Sequence, residues 1–185
     1  MRRILFILLS LLFSATATFA QRARFEITFS SGVSADLSKV YVQPLNAGEE
    51  GQTIPLRLKG DRYTASVPVS HSGFYEVVMV INGGQWLTTI YAPKSKRVGL
   101  DVEFDGVALN ENSTADNRAI SELNSIINSY NRKLWMVKDM PDSVLRELFA
   151  GYLAACDSLV AILKPTDAVA AYMQATAYSN ARNFY

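Results

Sequence analysis

One histidine and one cysteine, His71 and Cys156, are the side chains here best suited to nucleophilic catalysis, and they lie 85 positions apart in a chain of 185. A thiol attacks as its thiolate, so it needs a nearby base or, for disulfide exchange, a second, resolving thiol. The neighbours of Cys156 that share its helical face are Leu153, Leu159 and Val160, which predicts a thiol packed into a core. His71 falls in the turn-like stretch Val69-Ser70-His71-Ser72-Gly73, a natural place for a polar loop residue. A lone cysteine also forms no intrachain disulfide. No catalytic residue is assigned.

Metal chemistry fares similarly. Zinc takes three or four convergent ligands, and His71 has no partner at ligand spacing. Asp101, Glu103 and Asp105 alternate, so a strand would line them on one face, where they could hold a hard cation such as calcium. The same alternation sends Val98, Leu100, Val102 and Phe104 to the opposite face, and the carboxylates then read as the solvated side of a half-buried strand. Neither a metal nor a cofactor is assigned. Lys94, Lys96 and Arg97 form a small basic loop after Pro93 that would blunt a sheet edge or receive an anionic partner. Among the aromatic residues, those on apolar stripes belong to the core. Trp86 on a strand, Trp135 off the helical stripe and Tyr185 beyond it are the candidate contact surface.

The elements that position these residues are of two kinds. From about residue 24 to 104 the dominant period is two: Phe25, Ile27 and Phe29 alternate with polar residues, as do Ile54, Leu56 and Leu58 and the series from Val98 to Phe104. Seven strands are expected, over about 24–31, 39–44, 54–59, 62–68, 73–82, 86–92 and 98–104. The fifth, apolar on both faces from Tyr75 to Ile81, reads as a central strand, and turns are expected at Gly60-Asp61 and around Asn82-Gly83-Gly84.

Beyond Asn110 the period becomes helical. Ile120, Leu123, Ile127, Tyr130, Leu134 and Val137 make one stripe, preceded by a capping-box pattern at Ser113 and Asp116. Pro141 suits the first position of a second helix carrying Leu145, Leu148, Tyr152, Cys156, Leu159 and Leu163. Pro165 restarts a third, whose end is poor in large apolar residues. Strands followed by helices predict an α+β chain: an antiparallel β-sandwich over 21–110, then a three-helix region over 111–185.

Residues 1–20 read as a secretory signal, with Arg2 and Arg3 before an apolar run and Thr18-Phe19-Ala20 as the cleavage site. That run is about half the ~20 residues a membrane-spanning helix requires. Gln21 stands where a lipoprotein would have cysteine, so a free periplasmic or secreted protein is expected, with no transmembrane segment after cleavage. Without the two signal arginines, 16 basic residues face 17 acidic ones, a near-neutral balance that offers no bulk attraction for nucleic acid.

Three strings carry a family resemblance: Ser72-Gly73-Phe74-Tyr75, then Trp86 through Pro93, then Val98-Gly99-Leu100-Asp101-Val102, followed by an Asn-rich lead into helices at Leu109 to Ser113 and Asn117 to Leu123. Together they resemble the N-terminal β-sandwich, a domain of unknown function, of TlpA-like thiol-disulfide proteins from Gram-negative envelopes. The resemblance implies an envelope location and a thioredoxin-like domain or another envelope protein as partner. It does not carry over the family's redox activity, because that needs a Cys-x-x-Cys pair and Cys156 stands alone. Lys94-Ser95 also replaces a turn usually built on glycine. Three functions are therefore expected in competition: a non-catalytic contact module, the front part of a thiol-disulfide oxidoreductase, and a glycan or small-ligand binder using Trp86.

Overall fold

The computed structural model describes residues 22–30, 33, 36, 39–45, 54–55, 57–59, 62–68, 73–93, 97–103, 106–111, 113–136 and 141–182. Nine strands among them form two sheets: β1 (Arg22–Phe29), β2 (Tyr41–Pro44), β3 (Ile54–Pro55), β4 (Arg57–Lys59), β5 (Arg62–Pro68), β6 (Gly73–Ile81), β7 (Gly84–Ala92), β8 (Arg97–Glu103) and β9 (Gly106–Leu109). One sheet has the order β4-β5-β1-β8-β9 and the other β3-β2-β6-β7. β1 runs parallel to β8; every other pairing is antiparallel.

The period of two does what it must. Phe25 and Ile27 on β1, Val98, Leu100 and Val102 on β8, and Tyr75, Val77, Met79 and Ile81 on β6 all enter one sandwich core, joined by Val42, Ile90 and Ala92. β6 sits between β2 and β7, the interior place its two-sided apolarity predicts. It meets β7 through a two-residue turn in which Asn82 (φ 51°) and Gly83 (φ 80°) are both left-handed, the geometry that suits the twist of flanking strands.

Two strand expectations need correction. The stretch 54–59 is not one strand: β3 pairs with β2 in one sheet, whereas β4 pairs with β5 in the other. The chain therefore changes sheets between residues 55 and 57, immediately after Pro55, and Leu58 lies on the surface instead of in the core. The series through Val102 is followed by a further strand, β9, with Glu103 opposite Gly106 across a two-residue connection. The Gly60-Asp61 turn lies outside the described residues.

Three helices follow: α1 (Ala115–Met136), α2 (Asp142–Leu163) and α3 (Asp167–Arg182). Their shared core contains Ala119, Ile120 and Leu123 from α1, Phe149, Tyr152 and Cys156 from α2, and Val169, Met173, Ala177 and Ala181 from α3. The buried residues of α3 recur every fourth position and end in alanines, so its weakly apolar end is a close-packed face. α2 stops where Lys164 turns left-handed (φ 46°) and donates its N–H to the Val160 carbonyl, just ahead of Pro165. Pro141 stands at the cap of α2, one place before the position expected, and its carbonyl accepts from the N–H of Val144.

Ser113 and Asp116 do not form a capping box. The cap of α1 is Thr114, whose Oγ1 accepts from the Asn117 N–H at 3.2 Å. Asp116 instead accepts from the N–H (2.9 Å) and hydroxyl (3.2 Å) of Thr166, holding the start of α3 beside the start of α1. Ser113 is engaged with the sandwich.

Candidate functional site

The helices join the sandwich through a seam of small polar side chains. Gly99 on β8 is the key to one half of it. A Cβ there would run into the side chain of Asn110, so only glycine lets that amide lie over the strand. Asn110 then donates its N–H to the Gly99 carbonyl (3.3 Å) and its Nδ2 to Asp101 Oδ1 (3.1 Å), while Ser113 Oγ donates to the same Gly99 carbonyl at 2.7 Å.

The other half is Asn117. Its Oδ1 accepts the Tyr91 N–H and its Nδ2 donates to the Tyr91 carbonyl, both at 2.8 Å and both buried. One side-chain amide thus makes the two bonds that a neighbouring strand would make to β7. Beside it, Phe74 stacks on Tyr172 of α3 (ring centroids 4.4 Å apart) and leans on Tyr91 (5.1 Å), so the outer face of the β6–β7 sheet contributes to the helical core.

Along the same side, α1 lies over the opening between β7 and β9, the edge strands of the two sheets. A cleft of about 190 Å³ remains there, walled by Thr88 and Thr89 on one side and by Asn117, Ser121, Asn124, Ser125 and Asn128 on α1. Its polar walls are amides and hydroxyls without a charge. These α1 residues were not singled out in the sequence; the signal available was their spacing of 4, 3, 1 and 3 with no acid or base among them.

The single thiol is sealed. Cys156 is 3% exposed in the helical core, and burial pushes its pKa above the ordinary cysteine value. Tyr152, one turn earlier, is pushed up to about 12, chiefly by burial, against an opposing hydrogen bond from Asn180 Nδ2 to its hydroxyl at 3.4 Å. The expectation of a core thiol matches this geometry. His71, which was not assigned to a catalytic pair with this thiol, lies outside the described residues.

The remaining candidates are scattered. Asp101 is bound to Asn110, Glu103 is exposed, and Asp105 lies outside the described residues; among those described, no three His, Cys, Asp or Glu side chains are grouped to hold a metal ion. Lys94 and Lys96 are likewise outside, and Arg97 reaches with Arg24 toward the buried Glu26, at 3.9 and 3.5 Å. Trp86 is 36% exposed on β7. Trp135 and its neighbour Met136 are 80% and 82% exposed at the end of α1, twenty residues, or roughly 30 Å along the helix, from the seam. Tyr185 lies outside the described residues. Trp86 and Trp135 sit on different elements, β7 and α1. No helix among the described residues is long and apolar enough to cross a membrane.

No protein-family model and no curated protein matches the chain. Among solved structures, a candidate cell adhesion protein from Bacteroides fragilis is similar over 49% of this chain and 44% of its own, with 13% identity and a TM-score of 0.35.

Proposed function

We propose that this chain is an exported, non-catalytic contact module of a bacterial envelope, of the kind that accompanies thioredoxin-like domains, with residues 1–20 removed as its signal. The observation that carries the contact role is the exposed pair Trp135 and Met136 at the far end of α1, with Val144 also exposed on the first turn of α2. Large apolar side chains left in water offer a partner the apolar contact area on which interfaces are built. Burial of Cys156 supports the absence of thiol chemistry, because a core thiol with a raised pKa supplies little thiolate at neutral pH.

The test is thiol chemistry on the purified native protein. Cys156 should react with an aromatic disulfide reagent only as fast as the helical core opens, and the protein should leave insulin disulfides intact. Rapid labelling before unfolding, or insulin reduction abolished by Cys156→Ser, would defeat this reading.

A further inference from the structure

The four sheet edges are not protected alike. β3 is two residues long and contains Pro55; β4 is three residues long with Arg57 and Lys59 at its ends; β9 is four residues long with α1 against it. Each carries a familiar safeguard against pairing with another chain. β7 is different. It runs for nine residues, Gly-Gln-Trp-Leu-Thr-Thr-Ile-Tyr-Ala, without a charge or a proline.

The direction of its free hydrogen-bonding groups follows from the pairing. β6 and β7 pair from Ile81 opposite Gly84 to Gly73 opposite Ala92, and in an antiparallel ladder alternate residues turn their N–H and C=O away from the partner. Tyr91 is one that points away, because both its groups are bound by Asn117. Thr89, Leu87 and Gln85 share its parity, so they too aim both groups outward. No described residue bonds to them, and Leu87 is 58% exposed. The cleft beside α1 begins at this point, with Thr88 and Thr89 facing the amides and hydroxyls of α1.

We infer that the edge of β7 from Gln85 to Thr89 is a strand-addition site that takes one extended peptide segment with small, uncharged side chains. Asn117 shows that the edge accepts an amide from this side, since it occupies the rung at Tyr91 while the next three carry no bond from any described residue. Main-chain bonding supplies the affinity in such sites, and flanking pockets read alternate side chains. The uncharged walls favour Ser, Thr, Val or Ala in the segment and exclude Lys or Glu, which would lose hydration without gaining an opposite charge. A second copy of the whole sheet does not suit this edge, because α1 stands outboard of it at Asn117, within a strand's width of the continued ladder. The site uses none of Trp135, Met136 or Val144, so its failure would leave the contact role proposed above untouched.

The experiment is a titration of the ¹⁵N-labelled chain with an end-capped peptide of alternating Thr and Val, with an alternating Lys-Glu peptide as control. The Thr-Val peptide should shift the Gln85, Leu87 and Thr89 amide signals saturably and slow their hydrogen exchange on the order of 10-fold. Leu87→Pro removes one outward donor without touching the ladder to β6, and should weaken binding by about 10-fold or more. Asn124→Lys, which puts a charge on the cleft wall, should weaken it too and serves if the proline variant does not fold. No shift at those amides, equal binding by both variants, or a homodimer broken by Leu87→Pro would overturn the inference.

Discussion

The sandwich and the helical region solve the problem of a core in opposite ways. Every buried side chain of the sandwich core comes from a strand or from Val40 beside one, whereas the helical core includes Tyr91 and leans on Phe74, both from the outer face of the β6–β7 sheet. The sandwich is complete without the helices, but the helices are incomplete without the sandwich. A region with a borrowed wall is the one expected to open first.

Asn117→Leu should break that relation most severely. It leaves the buried Tyr91 N–H and carbonyl unpaired, at a cost of about 2–5 kcal/mol, and helical circular dichroism should be lost at lower urea while the sandwich signal persists. A single transition shifted as a whole would show instead that the two regions fold as one. Gly99→Ala comes next, at about 1–3 kcal/mol, because its Cβ displaces Asn110 from the bonds to Asp101 and the Gly99 carbonyl. Since that change sits on a sandwich strand, its urea curve should shift in both transitions.

Alkali sharpens the comparison. The Tyr152 pKa is about 12 in the fold against 10.0 for the free group, so between those values the unfolded chain loses a proton that the native chain keeps. Stability therefore falls as the pH climbs from 10 through 12, and the raised pKa of Cys156 acts in the same direction above the ordinary thiol value. Urea midpoints of the helical transition should drop over this range, and Tyr152→Phe should flatten the drop. The smallest effect belongs to Trp135→Ser, which should change stability by no more than about 0.5 kcal/mol, since the side chain is almost fully in water.

The parts of the fold legible in the sequence are those where periodicity and burial coincide. Phe25 and Ile27, Val98 to Val102, and Ile120 with Leu123 declare their faces because a core rewards a strict period. Pro55 interrupts such a pattern without altering it, so a strand that changes sheets still reads as one strand. β9 was hidden by its length, although Val107 and Leu109 after Asp105-Gly106 repeat the hairpin pattern. The seam was the least legible part. Ser113, Thr114, Asp116 and Asn117 are all good helix-start residues, and their side chains can bond the local backbone or reach a distant strand equally well. Only the three-dimensional arrangement assigns Thr114 to the cap, Ser113 to Gly99, Asp116 to Thr166 and Asn117 to Tyr91.

The contact role itself is tested most directly by a photo-crosslinking amino acid at position 135 in the native cell, with exposed Glu122 on the same helix as the control position. The account predicts a discrete heavier adduct from position 135 and none from 122. No adduct from 135, or the same adducts from both positions, would contradict it.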